Sequence, residues 1–354
     1  MSCSTSSNWP SPTDRPLTPP APRRRTPIWQ ILLGITISAA LLYFSLRGIQ
    51  FAEVLRHVRT ARLAPMLLAV TLATLTFVLR IFRWHLLLRG DDGRPLPAAP
   101  LWHAIAMGFM ANNVLPLRMG EVVRVVAAHR LTGTRFTAVL ASIAVERLFD
   151  AITIVGLLAV GLFTATLPET GLSAKMTHMA TYGGLAALAG LLLATLVVLF
   201  PLAAERVVRA LVPAPTLATR IVGLIEGVRQ GLSVLGSPAR VAGAVFWSLA
   251  VWGISALSFY VMFQAFGIAV DFPGALLMQG LIMFGIALPS TPGYVGAFEA
   301  PIIIVLGLYG ADQNLAAAYA LTYHVLTFLP ITLLGAWSVA RTGLGLASLR
   351  RGTA

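Results

Sequence analysis

Charge is the first thing this chain lacks. Asp, Glu, Lys and Arg make up 11% of its 354 residues, against 57% hydrophobic residues and a mean hydropathy of +0.81. A soluble domain of this length needs far more polar side chains to cover its surface. Cysteine is reduced to Cys3, which excludes a disulfide framework, a CxxC pair and a thiolate metal site within one chain. GxSxG, HExxH, GxGxxG and Walker patterns are all absent, and no polar stretch is long enough to form a soluble catalytic domain. The expectation is therefore a protein that is not an enzyme and carries no cofactor or metal. With no ATPase motif, any transport is facilitated or driven by an ion gradient. Lysine is also nearly missing: Lys175 stands alone among 26 basic residues, which outnumber 13 acidic ones for a formal charge of +13. The arginines are spread between apolar runs and not gathered on one soluble face, which argues against nucleic acid. Arginine's planar fork suits phosphate, so contact with anionic lipid head groups fits better.

What the chain has in quantity is apolar sequence in long runs. Ile28 to Leu46, Leu185 to Leu202 and Val241 to Phe266 can each cross a hydrocarbon core of about 30 Å as a helix. Lipid leaves no partner for unpaired amides, so the runs must be helical, and their continuity excludes the alternation of barrel strands. The predicted fold is an all-α polytopic membrane protein of about eight transmembrane helices plus re-entrant or broken segments.

The spans are predicted near 27–46, 64–84, 137–166, 180–201, 241–266, 273–289, 296–310 and 314–340. Residues 1–26, rich in Ser, Thr, Pro and Arg, read as a disordered cytoplasmic tail with no cleavable signal peptide. Residues 27–341 form one membrane domain, with candidate halves 27–202 and 241–341. Between them, 203–240 carries Arg206, Arg209, Arg220, Arg229 and Arg240, and its Leu217, Ile221, Leu224, Ile225 and Val228 suggest a cytoplasmic amphipathic helix. Residues 342–354 are a second cytoplasmic tail. Arg23, Arg24 and Arg25 at one end, and Arg341, Arg350 and Arg351 at the other, put both termini inside; loop 167–179, with Glu169 and Lys175 as its only full charges, lies outside. Residues 51–62 form an amphipathic surface helix whose side of the membrane the charge rule leaves open. Arg80 and Arg83, at the end of the second span, are expected to snorkel toward the cytoplasmic surface.

Three clusters carry the chemistry. In the first, Asn112, Asn113 and Pro116 interrupt an apolar run, and Arg118, Gly120, Glu121 and Arg124 follow. This is either a cytoplasmic loop or a helix broken at Pro116, freeing backbone groups that need a polar cavity, with arginines able to hold a phosphate. In the second, Glu146 and Asp150 share a helix face at i, i+4, and Arg147 meets Asp150 at i, i+3. Charges inside a span must face the bundle interior, water or each other, and Arg118 or Arg124 is the expected partner, joining the two clusters. In the third, Pro289, Pro292, Gly293 and Gly296 interrupt the chain just before Glu299. This is either a surface hairpin or non-helical backbone at membrane depth. The two Pro/Gly/Glu breaks echo each other as a candidate internal repeat, and paired breaks point to a transport site at the midplane. His324, alone among apolar neighbours, reads as a packed, hydrogen-bonded residue.

In order and spacing, Asn112-Asn113-x-Leu115-Pro116-x-Arg118-x-Gly120-Glu121-x-x-Arg124, Glu146-Arg147-x-x-Asp150 and Pro289-Ser290-x-Pro292-Gly293-x-x-Gly296-x-x-Glu299 resemble the lysylphosphatidylglycerol synthase transmembrane-region family, also called the flippase-like domain family. The resemblance implies a bacterial or archaeal inner-membrane protein that moves a lipid between leaflets. Longer relatives carry a soluble transferase domain after the membrane domain; this chain ends at Ala354, so synthase activity is not expected. Relatives often carry an arginine in the last helix where this chain has His324. Others are linked to hopanoid, glycolipid or polyprenyl-linked pathways. The leading expectation is a flippase for an anionic or phosphate-linked lipid, with Arg118, Arg124 and Arg147 on the head group and Glu121, Asp150 and Glu299 balancing them. The alternatives are a membrane enzyme acting on lipid-linked substrates with Glu121 or Asp150 as general base, and an accessory subunit of a cell-envelope enzyme. The expected partners are membrane lipids, a cell-envelope biosynthesis enzyme or a second copy of the chain, and no nucleic acid.

Overall fold

The computed structural model describes residues 46–115, 119–166, 201–211, 237–287 and 292–344, together with 36, 39–43 and 189. The expected spans 27–46 and 180–201, loop 167–179, the amphipathic stretch around Leu217 to Val228, both terminal tails, and Pro116, Arg118 and Pro289 lie wholly or largely outside these residues. Every described element is helical apart from one isolated bridge between Arg89 and Pro95.

In chain order the helices are α1 (Phe51–Thr60), α2 (Leu63–Leu87), α3 (Ala98–Val114), α4 (Gly120–Thr132), α5 (Phe136–Thr164), α6 (Pro201–Leu211), α7 (Pro238–Phe266), α8 (Phe272–Ala287), α9 (Glu299–Leu308) and α10 (Gln313–Thr342), with a single 3₁₀ turn at Pro292–Tyr294 before α9. Their limits follow local chemistry. α7 opens with Ser237, whose hydroxyl accepts the Arg240 N–H at 3.3 Å, and with Pro238 in its first turn; it stops at Gly267, φ +66°. α10 opens on the Asp312 carboxylate, which accepts the N–H groups of Asn314 and Leu315 at 2.9 and 3.2 Å.

The protein is embedded in the membrane. α2, α7 and α10 are long and apolar enough to cross it, and two shorter apolar segments cover 272–286 and 292–308. Their outward faces carry exposed large apolar side chains such as Phe82, Leu249, Leu329 and Trp337, as lipid contact requires. The expected count of eight spans extends over residues outside the described set. α5 is also 29 residues long, but it carries Glu146, Arg147 and Asp150 in its middle turns.

Helices pack through small residues. A Cβ on Gly120 would lie 2.0 Å from the Gly108 carbonyl oxygen, so α3 and α4 cross with backbones nearly in contact. A Cβ on Gly335 would lie 2.3 Å from Met110 Cβ, which seats α10 against α3 in the same way. α2 lies along α7, α5 along α8, and α9 on α10. A column of aromatic rings lines the α7–α10 contact, with Phe259 stacked on Tyr323 at 4.4 Å and Phe263 on Tyr319 at 5.2 Å.

Arg80 and Arg83 require a correction. They do not snorkel: α2 continues to Leu87, and the two side chains are 7% and 0% exposed. Two carboxylates on α5 draw them inward, a pairing that α2 alone does not reveal.

Candidate functional site

Glu146 and Asp150, one turn apart on α5, anchor the site. Glu146 is fully buried and takes the fork of Arg124 from α4, Nη1 to Oε1 at 2.9 Å and Nη2 to Oε2 at 2.7 Å. Arg147 Nη2 donates to the same Oε1 at 2.8 Å, and Arg83 Nη2 lies 3.0 Å from it. Asp150 Oδ1 accepts from Arg83 Nη1 at 2.5 Å and from the Trp252 indole N–H at 2.7 Å. Arg83 Nη1 also donates to Ser248 Oγ on α7 at 3.0 Å. The Arg124 guanidinium sits 3.8 Å from the centroid of the Trp84 ring. Arg147, half-exposed, reaches toward Glu121 at 3.8 Å. The first and second sequence clusters therefore meet, through Arg124; Arg118 lies outside the described residues.

These groups close one end of a cavity of about 350 Å³. Its polar wall includes Arg80, Arg124, Arg147, Asp150, Asn112 and Glu121. The rest is mainly apolar, with Phe77, Phe109, Phe259, Phe298, Phe328 and Ile331 among the lining side chains and Thr76, Asn113, Ser255 and Thr327 interspersed. Among the described residues, four guanidinium groups (Arg80, Arg83, Arg124, Arg147) face three carboxylates (Glu121, Glu146, Asp150), so the polar end keeps a surplus of positive charge.

The remaining expected site residues divide between wall and scaffold. Asn113 lines the cavity and donates from Nδ2 to Thr332 Oγ1 at 2.7 Å. Asn112 Oδ1 accepts the Gly120 N–H at 2.8 Å, which holds the start of α4 against the end of α3 across the break. Gly293 and Gly296 adopt φ +71° and +82°, values that glycine takes without a steric penalty. They turn the chain between α8 and α9, and a Cβ on Gly293 would lie 3.4 Å from the Asn113 carbonyl oxygen. The two breaks are thus neighbours in space.

Glu299 requires the second correction. It was expected to balance a head group, but it does not line the cavity. Its carboxylate is buried, accepts the Gly296 N–H at 2.7 Å and is hydrogen-bonded to His324 Nδ1. Glu299 and His324 tie the second break to α10, and His324 packs against Phe298 and Phe328. Glu146 likewise lies behind the wall, covered by its arginines. Sequence reasoning missed Arg80, Arg83 and Trp252 as site members. The available signal was the Arg80-x-x-Arg83 spacing, which puts two cations on one face of an otherwise apolar helix.

The model of the family described as "Lysylphosphatidylglycerol synthase TM region" matches residues 31–335. The chain belongs to this family. Similar proteins include "Glycosyltransferase AglD" of Haloferax volcanii, 27% identical over 322 residues, and a "UPF0104 membrane protein" of Methanothermobacter thermautotrophicus, 25% identical over 299 residues. The first alignment covers 82% of this chain and 50% of the Haloferax protein, so the chain spans half the length of that relative. The second covers 79% of this chain and 85% of the Methanothermobacter protein. The family match takes in both broken segments and the whole charged cluster, so the lysylphosphatidylglycerol synthase membrane region is the frame in which this site is read.

Proposed function

We propose that the protein binds an anionic or phosphate-linked lipid in this cavity and carries it between leaflets of the inner membrane without altering it covalently. The observation that carries the reading is the cavity's mixed lining inside a membrane domain: a cluster of arginines in surplus over carboxylates, and mainly aromatic and aliphatic side chains over the rest. A head group can leave water for the arginines, which hold phosphate through charge-assisted bonds, while apolar contacts meet its tail. In this reading Arg147 and Glu121, both half-exposed, form the entrance.

One observation favours a second reading, a membrane enzyme acting on lipid-linked substrates. The Haloferax relative is called a glycosyltransferase, although half of that protein lies outside the matched region. Asp150 Oδ2, which has no hydrogen-bond partner, is then the candidate general base. Leaflet exchange of fluorescent phospholipids and polyprenyl phosphates in reconstituted vesicles separates the two. Exchange above that of empty vesicles, with the lipids recovered unchanged, is the expected result. Exchange equal to empty vesicles across the panel, together with a modified lipid product, replaces the flippase by the enzyme. Neither exchange nor product leaves an accessory subunit.

A further inference from the structure

The four arginines of the cluster are not equally occupied. Arg83 donates to Asp150 and Ser248, Arg124 forks onto Glu146, and Arg147 bonds Glu146. Arg80 has none of this. Its nearest carboxylate oxygen is Asp150 Oδ2 at 3.9 Å, and its Nε and Nη1 are buried with no hydrogen-bond partner. The guanidinium lies between two rings, 5.2 Å from the centroid of Phe109 and 5.4 Å from that of Trp252, which hold it in place on the cavity wall. A buried cation with unfilled donors is costly, and an anion in the cavity removes that cost.

Building on the lipid-binding reading, we infer that Arg80 is the seat of the ligand's anionic group, and that this group is a singly charged phosphate carried on a lipid. Arg80 lines the cavity with a guanidinium whose Nε and Nη1 no protein acceptor satisfies, and the rings beside it keep the group from turning away. The charge is limited to one by Asp150, which lines the same cavity with its Oδ2 3.9 Å from Arg80 Nη1, so a second negative charge would meet a carboxylate. Arg124 and Arg147, both expected on sequence to grip the head group, serve mainly to neutralise Glu146 and Asp150.

The test uses the full chain in uncharged maltoside micelles at about pH 5, below the second phosphate pKa of about 6 so that both probes carry mainly one charge, with dodecyl phosphate as the lipid-borne probe and inorganic phosphate as the free one. Binding and thermal unfolding are measured for wild type, Arg80→Met and Arg80→Lys. Dodecyl phosphate binds wild type and raises its unfolding midpoint. Inorganic phosphate, which sheds its hydration without gaining apolar contacts, binds at least about tenfold more weakly. Methionine fills the space between the rings without charge. Arg80→Met therefore keeps or raises the unliganded midpoint and weakens dodecyl phosphate binding roughly 10- to 100-fold, the worth of a charge-assisted pair. Arg80→Lys keeps the charge, loses the fork and falls between. Undiminished binding by Arg80→Met overturns the inference. So does an Arg80→Met protein that fails to fold or unfolds well below wild type, because Arg80 is then a structural cation. Equal affinity for the two probes overturns its lipid-borne half. Leaflet exchange distinguishes this failure from failure of the proposed function: exchange unaffected in Arg80→Met rejects the Arg80 seat alone, and no exchange by wild type that still binds dodecyl phosphate at Arg80 rejects the flippase alone.

Discussion

At the residue scale, the charged cluster combines two kinds of arginine. Those that pair with Glu146 and Asp150 give two buried carboxylates their partners in a region where lone charge is expensive. Arg80 adds charge that the carboxylates do not need. The distinction makes opposite mutational predictions for residues in one cluster. Glu146→Gln leaves Arg124, Arg83 and Arg147 without the carboxylate they share. Breaking a buried pair from one side costs about 3–5 kcal/mol. Thermal unfolding of the detergent-solubilised variant should therefore show a clear loss of stability; a midpoint equal to wild type would mean that water, and not Glu146, compensates these arginines.

At the element scale, the ends of three helices meet at Asp271, just before α8. Its Oδ2 accepts the backbone N–H and the hydroxyl of Thr166, beyond the end of α5, at 3.1 and 2.9 Å; its Oδ1 accepts the Gly274 N–H in α8 at 2.8 Å and the Tyr309 hydroxyl after α9 at 3.2 Å. Burial pushes the Asp271 carboxyl up, but these hydrogen bonds outweigh it and hold the group below its ordinary 3.8. Because the folded value is depressed, the stabilisation is fully present above about 3.8, the unfolded value, and disappears as pH falls through the lower folded value. Asp271→Asn removes that dependence. Unfolding midpoints measured from neutral pH down to about pH 3 should fall more steeply for wild type than for the variant. Parallel curves would assign the acid sensitivity to other carboxylates. The two broken segments also belong to this scale. Asn112 repairs the first by accepting the Gly120 N–H, and Glu299 repairs the second by accepting the Gly296 N–H, so each break has its own side-chain acceptor for the restarting chain.

At the scale of the whole molecule, the packing order puts α2, α5 and α7 around the charged end, and α3, α10 and the second break around the apolar part of the cavity. A site assembled from both candidate halves of the chain can change shape if the halves rock against each other, which is what alternating access requires. The arginines predict an orientation: a reporter fused at Ala354 should sit in the cytoplasm and one inserted within residues 167–179 outside. Both reporters in one compartment would overturn this topology.

Sequence by itself determined the membrane environment, the helical class, and the limits of α2, α5, α7 and α10 to within a few residues, because hydrophobic runs and their capping residues are local properties. It also joined the first two clusters, offering Arg118 or Arg124 as partner to the carboxylates of the second, since charges inside a span must find each other; the structure selects Arg124 and Glu146. Tertiary structure decided which cation was left over. Arg80 and Arg83 lie three residues apart on one helix and looked alike, both ready to snorkel. Their different states depend on where α5 and α7 place Asp150, Ser248 and Trp252, which lie 67 to 172 residues away along the chain. Glu299 shows the same limit: its motif drew attention to the second break, but only the approach of His324 on α10 turned its carboxylate from the cavity into a brace. Charge pairing in a bilayer depends on distances of a few ångströms between helices, and no local pattern in one helix specifies them.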